Sequence, residues 1–468
     1  MQLTADITHN TEVIEKMLQP QKSFDVIRRD LLIGGRIAAL YFIDGFMKDE
    51  MFEKIMEFLF KITPDQLKDV STMAQYMKSF MPYVETDYES DASNAVLAVL
   101  SGPAVLLIDG ISYALIVDVR EYPARSVSEP DKDRSLRGSR DGFVETLVFN
   151  TAMLRRRIRD PRLRMEHMQI GELSKVDTVI SYIEGKADEM LVKKLKTQLK
   201  SLDLEGVSMT SQAIAEKLVP TAFLNPYPKI RYTERPDFAS ASVLEGKIVL
   251  LMDNSPVVMI FPTCFADFSR EADDYYFPRL TGTYIRTLRI FISLFTVILT
   301  PLTLLYLNNP DLVPSFLSFI VPKENADLPF FVQFLALEFI VDGLRLASLN
   351  TPNSLSGSLG VIGGLLLSEF AVSAGWFQPE TILYMSFVAI ASYTQPSFEM
   401  GYAMKFVRIL TLILTQLFAV WGFFAGLAIG LITMLFSKTL SGRGYLYPVI
   451  PFSARDFLKL FVRTKITK

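Results

Sequence analysis

FFVQFLALEFIVDGLRLASL, residues Phe330 to Leu349, is apolar enough to enter a bilayer, yet it carries three ionisable residues. Glu338, Asp342 and Arg345 fall at i, i+4 and i+7, which places them on one face of a helix. Lipid cannot receive that face, because ionisable groups at membrane depth are costly and turn toward a bundle interior, a partner or a water-filled path. Three readings fit the pattern: a polar path, an amphipathic helix lying at the interface, or a Glu/Arg pair bracing neighbouring helices.

Outward from this stretch the chain divides in two. Half of its 468 residues are hydrophobic and mean hydropathy is +0.27, but the averages hide a boundary near Asp274. Before it, charged and apolar stretches alternate as in a soluble α/β protein; from Ile285 to Phe436 long apolar runs dominate. The first run, Tyr284 to Leu307, follows Arg279 and contains Arg286 and Arg289, so its N-terminal side is expected in the cytoplasm. Asn308 to Pro329 reads as an outer loop. Later runs are Leu355 to Phe377, Thr381 to Thr394, and Met404 to Phe436, the last too long for one crossing and expected to extend or to break near Gly422.

Small residues recur every fourth position at Ser356, Gly360, Gly364 and Ser368, and again at Gly422, Gly426 and Gly430, marking faces where helix backbones approach closely. Glu369, beside the first stripe, joins Glu338, Asp342 and Arg345 as a polar-path candidate, with a protonated packing residue as the other reading. The tail, with Arg443, Arg455, Lys459, Arg463 and Lys468, is basic and expected in the cytoplasm. The N-terminus shows no basic segment followed by an apolar core, so no secretory signal is read there and the soluble half is expected in the cytoplasm.

In the soluble half, Arg36-IAALYFIDG followed by an amphipathic stretch from Lys48 to Ile62 reads as strand, turn and helix. Ala104 to Val119 reads as a hairpin turned at Asp109-Gly110. Thr178-VISYIEG with the helix from Ala187 to Leu202, and the hairpin beginning at Lys247, repeat the pattern and predict two similar α/β subdomains. The expected divisions are 1–133 and 172–278 for the subdomains, 134–171 for an Arg-rich link, 279–437 for the transmembrane domain and 438–468 for the tail. The fold class is therefore an α/β cytoplasmic region of two similar subdomains followed by an α-helical transmembrane domain.

The link holds nine arginines between Arg134 and Arg164 against Asp141, Glu145 and Asp160. Arg155, Arg156 and Arg157 must fan across more than half a helix circumference, so they cannot all serve one ligand. A subdomain or subunit contact and an anion site both fit. No Gly-Lys-Ser/Thr follows the glycines, as a P-loop requires, and no aromatic pattern supports nucleic acid. One cysteine and two distant histidines support neither a disulfide nor a metal cluster; no cofactor and no enzymatic activity are expected.

The order Arg125-Ser126, Glu129-Pro130, Arg137-Gly138, Arg140-Asp141-Gly142-Phe143, Glu145, Asn150 and Arg155 to Ile158 resembles the A subunits of the GerA-type spore germination receptor family. The span with Gly360, Gly363 and Gly364 is similar as well, and RGSRDGFVETLVFNTAMLRRRIRDPRLRME is most like that family's stage V sporulation protein AF branch. The resemblance implies a spore inner-membrane protein with a cytoplasmic α/β region, acting with other membrane subunits of a germination complex and forming a homo-oligomeric ion channel. Leu346 and Asn350 stand where the family helix carries further charge, and Glu369 where it carries Gln, which fits an accessory branch better than direct nutrient gating. A small-solute transporter and a membrane-anchored signalling scaffold remain the competing classes; the carboxylates of the helix face would favour cations.

Overall fold

Gly34 and Gly35 both take positive φ, 54° and 75°, and so close a two-residue hairpin of the kind that matches strand twist. The hairpin joins β1 (Val26–Ile33) to β2 (Arg36–Ile43), paired from Val26 opposite Ile43 to Ile33 opposite Arg36. With β3 (Thr86–Glu89), β4 (Ala104–Ile108) and β5 (Ala114–Val117) they form an antiparallel sheet in the order β1-β2-β4-β5-β3. Alternation decides its faces: Ala38, Leu40 and Leu106 meet Ile55, Met56 and Leu59 of the Asp49–Lys61 helix, while Ala39, Tyr41, Val105 and Leu107 meet Ile14, Val96 and Val99 of the Ile7–Leu18 and Ala92–Ser101 helices. Burial on both faces explains why β4 is apolar throughout.

The arrangement then recurs. β6 (Leu163–Ile170), β7 (Val176–Ile183), β8 (Arg231–Thr233), β9 (Ile248–Met252) and β10 (Val258–Phe261) form a second antiparallel sheet in the order β6-β7-β9-β10-β8, the same topology. The expected pair of similar α/β subdomains is present. Residues 163–170, read from sequence as link, are the edge strand of this sheet. The Arg-rich helix runs from Leu147 to Arg157, and Asn150 turns its side chain back to both the N–H and the C=O of Val144 and holds the preceding residues in a loop.

The structure is a computed structural model that describes residues 2–47, 49–67, 86–120, 138–172, 174–202, 210–219, 223–271, 273–320, 327–350, 369–437, 439–442 and 444–463. It comprises two units, residues 1–220 with 230–262, and residues 221–229 with 263–468. Both sheets lie in the first.

The second unit is helical. Its principal helices are Arg279–Asn308, Phe330–Asn350, Pro379–Tyr393 and Phe398–Phe436, with a short helix at Ala454–Phe461. Among the described residues, Arg279–Asn308 and Phe398–Phe436 are long and apolar enough to cross a membrane. The latter is no straight rod: at Ala419 the backbone leaves helical geometry (φ 47°, ψ −126°) and the chain doubles back. A Cβ on Gly430 would lie 2.6 Å from Val407 Cγ1 and one on Gly426 2.6 Å from Thr411 Cα, and Gly422 abuts the Leu414 carbonyl, an antiparallel register. The second glycine stripe therefore closes a helical hairpin within the chain. A straight helix of 39 residues would measure roughly 58 Å, nearly twice a hydrocarbon core, so the fold-back resolves the excess length.

Candidate functional site

The helical unit buries polar side chains among its apolar ones and exposes large apolar residues. Gln333, Thr381, Thr300, Thr411 and Thr415 are buried, whereas Trp421 is 83% exposed and Phe339 76%. Gln333 Oε1 accepts from the Gln378 N–H and the Thr381 hydroxyl at 2.9 and 2.7 Å, and so fixes the start of the Phe330–Asn350 helix against the start of the Pro379–Tyr393 helix. Lower down, Arg345 at the far end of the first meets Tyr393 at the end of the second, so these two helices run parallel.

That register presents Glu338, Asp342 and Arg345 to the first arm of the hairpin. Glu338 is 2% exposed and takes a two-pronged ion pair from Arg408, Nε to Oε1 at 2.6 Å and Nη2 to Oε2 at 2.9 Å. Lys405 Nζ lies 3.2 Å from Glu338 Oε2 and also pairs with Asp342, whose side chain keeps 30% of its exposure. Arg408 Nη1 donates to the Thr296 carbonyl at 3.3 Å, tying in the Arg279–Asn308 helix. Arg345 stacks over Phe398, Tyr393 and Tyr402 at 4.8, 5.0 and 5.6 Å. Glu338, Asp342, Arg345, Lys405 and Arg408 line a cavity of about 30 Å³, room for about one water.

The three residues chosen from sequence are thus brought together, and Lys405 and Arg408 complete them. Counted formally, two carboxylates face three cations, a surplus of one positive charge at this cluster. The missing pair carried the same signal as Glu338: two cations at i and i+3 inside an apolar run. Glu369 is exposed. Ser356, Gly360, Gly364 and Ser368 lie outside the described residues. Gly422, Gly426 and Gly430 pack helix against helix within one chain.

Arg286 and Arg289, read as cytoplasmic-side charges, are buried on Asp274. Arg289 Nη1 reaches both Asp274 oxygens at 3.1 and 3.2 Å, and Arg286 Nε reaches Oδ2 at 3.3 Å. These charges are internal pairs and present little free positive surface.

In the first unit the Arg-rich helix lies between the two sheets: Ala152 packs into the core beside the first, and Leu147, Met153 and Leu154 into the core beside the second. Gly45 at φ 79° admits it, since a Cβ there would fall 2.7 Å from Val148 Cγ1. The three arginines diverge. Arg155 is fully buried and grips Asp25, ahead of β1, with Nε–Oδ2 2.8 Å and Nη2–Oδ1 3.2 Å, while donating to the Leu163 carbonyl at 3.2 Å. Arg156 is exposed, and Arg157 pairs with Asp141 at 2.5 Å. Burial alone would raise the Asp141 carboxyl, but the hydrogen bonds from Arg157 and Ser139 outweigh it and hold it below the ordinary value. Arg164, not singled out from sequence, donates to the Leu18 carbonyl at 3.2 Å and pairs with Glu184, a second tie between subdomains. Arg140 is exposed; Arg125, Glu129 and Arg137 lie outside the described residues.

The family model described as Bacillus/Clostridium GerA spore germination protein matches residues 12–468. Among similar proteins, Stage V sporulation protein AF of Bacillus subtilis (strain 168) is 35% identical over 460 residues, covering 97% of this chain and 92% of that protein. Spore germination protein KA of the same organism is 28% identical, covering 95% and 82%, and Spore germination protein A1 is 27% identical, covering 94% and 91%. Of solved structures, the N-terminal domain of the A subunit of the Bacillus megaterium spore germinant receptor GerK3 aligns at 25% identity and TM-score 0.43, covering 57% of this chain and 98% of that one.

Proposed function

We propose, from the premise that the chain belongs to the Bacillus/Clostridium GerA spore germination protein family, that it is a multi-pass membrane subunit of a germination complex and that its copies assemble an ion passage. The observation that carries this reading is the charged cluster of Glu338, Asp342, Arg345, Lys405 and Arg408 inside a bundle whose outer surface is apolar. A soluble protein does not build its helices this way round; lipid is the solvent such a surface fits. The location is the spore inner membrane, with both termini cytoplasmic and other membrane subunits as partners.

Within the cluster the roles divide by exposure. Glu338 is fully engaged and acts as brace; Asp342 is the carboxylate open to a passage, and Lys405 caps it. The cavity holds about one water, so the described arrangement is closed, and opening requires Lys405 to leave Asp342. With the cap gone the surplus positive charge is cancelled and cations are favoured.

Purified protein in liposomes tests this directly. Lys405→Gln should raise basal cation flux, and Asp342→Asn should lower it or change its selectivity. Equal flux from all three proteins, with and without the complex partners, would leave the bundle as the anchor of a signalling scaffold, a reading that the complete pairing of Glu338 also favours. Protease added outside intact cells should spare residues 1–262; cleavage there would reverse the proposed topology.

A further inference from the structure

At the beginning of the Arg279–Asn308 helix, Lys459, Phe461 and Arg463 hydrogen-bond its first turns. Ser453 precedes the short helix Ala454–Phe461, in which Leu460 is buried and Phe457 packs on Phe461 at 5.4 Å and Phe452 at 5.6 Å. Ile450, Phe452 and Leu458 stay outside, 51%, 68% and 61% exposed. Apolar residues exposed together on a polar-rimmed element mark an interaction surface.

The backbone fixes the level of this surface. Arg286 Nη1 donates to the Lys459 carbonyl at 3.0 Å, the Arg463 N–H to Thr283 Oγ1 at 3.1 Å, and Thr287 Oγ1 to the Phe461 carbonyl at 3.4 Å. The short helix therefore sits beside residues 283–287. The continuous apolar run of the long helix begins at Ile290, three to seven residues farther on, or roughly 5–10 Å along the axis. That interval matches the headgroup zone between the hydrocarbon core and water, roughly 5–8 Å per leaflet. The outward residues of the long helix at this level, Tyr284 and Leu288, continue into Phe291 and Phe295, so one apolar face runs unbroken from the membrane span to the level of the short helix. From Arg455 to Lys468 the sequence holds five basic residues, Arg455, Lys459, Arg463, Lys465 and Lys468, against Asp456 alone.

We infer that residues 449–461 form an interfacial anchor lying on an anionic phospholipid leaflet, with Ile450, Phe452 and Leu458 at the acyl boundary and Arg455 toward the phosphates. The inference rests on the membrane reading above and adds a lipid-recognition element to it. Depth, amphipathicity and sign of charge agree, as an in-plane helix requires.

The test uses the full chain with its single cysteine replaced, Cys264→Ser, which retains a side chain suited to capping the following helix turn. Spin labels are placed at Phe452→Cys and Leu458→Cys, at Phe291→Cys on the span, and at Met190→Cys, an exposed position of the first unit. The protein is reconstituted in phosphatidylcholine vesicles with and without phosphatidylglycerol, and collisions with oxygen are compared with collisions with a water-soluble nickel chelate. Labels at 452 and 458 should favour oxygen several-fold over the label at 190 and less strongly than the label at 291. Phosphatidylglycerol should deepen them, and Arg455→Glu should reduce the docked-to-undocked ratio by at least about five-fold, the factor for roughly 1 kcal/mol per basic residue at an anionic surface. Nickel access at 452 and 458 equal to that at 190, with 291 shielded, overturns the anchor and leaves the membrane reading intact. Spin–spin broadening that disappears on dilution with unlabelled protein assigns the face to a second copy and also overturns it. Nickel access at 291 would defeat the membrane reading itself.

Discussion

Glu338→Gln isolates the brace from the passage. The substitution keeps the shape of the side chain but exchanges one carboxylate oxygen for an NH₂ that faces donors, so one of the two Arg408 contacts at 2.6 and 2.9 Å becomes donor against donor. The Lys405 contact at 3.2 Å loses its counter-charge as well. A charge-assisted hydrogen bond contributes about 1.5–3 kcal/mol net, and removing one partner of a buried pair costs about 3–5 kcal/mol, because the remaining cation stays desolvated. For a helical unit of this size the expected fall in the thermal transition is roughly 6–20 °C. Full-length protein in nanodiscs, heated and scored for the monodisperse fraction by size-exclusion chromatography, measures it. The decisive variant is the double replacement Glu338→Met with Arg408→Met, which removes both charges and leaves Lys405 to Asp342; it should recover most of the loss. Additive loss in the double variant, or a Glu338→Gln protein as stable as the parent, would refute the brace.

Arg155→Ala should cost about 3–5 kcal/mol by stranding buried Asp25, whereas Arg156→Ala, at an exposed position, should stay within about 0.5 kcal/mol; thermal unfolding of the two variants distinguishes them. Gly426→Leu should splay the hairpin, since its Cβ would meet Thr411 Cα at 2.6 Å, while Gly343→Ala meets nothing within 4 Å and should gain up to about 1 kcal/mol of helix propensity; monodisperse yield after heating reports both. Lys459 and Tyr447 hold the Asp456 carboxyl down to about 2. Its contribution is therefore complete above the ordinary carboxylate value near 3.9 and is lost only as pH falls through about 2, so label mobility at Leu458→Cys should be unchanged between neutral pH and about pH 5.

What could be read in advance follows from which interactions are local. Strand, glycine turn and amphipathic helix are written in consecutive residues, so both copies of the α/β pattern and the buried hairpins beginning at Ala104 and Ile248 were legible. β1 and β6 were not, because VIRRDLLI and LRMEHMQI are edge strands whose outer positions carry charge, and only their ladders to β2 and β7 make them strands. The divergence of Arg155, Arg156 and Arg157 follows from 3.6 residues per turn; the partner of Arg155 lies 130 residues earlier and needs the tertiary fold.

The polar cluster obeys the same division. Helical spacing alone put Glu338, Asp342 and Arg345 on one face, but the charge of that face depends on a neighbouring helix, and Lys405 and Arg408 change its local formal charge from −1 to +1. A carboxylate read singly favours cations, whereas the same carboxylate under a lysine cap makes cation entry depend on moving the cap. If the cap governs entry, Lys405→Gln must act through Asp342: in the Asp342→Asn background it should leave cation flux at the level of Asp342→Asn alone, while two independent effects on flux would multiply. Flux from the four proteins of that cycle, measured at one protein density in the same liposomes, decides between a capped passage and a pair of unrelated structural charges.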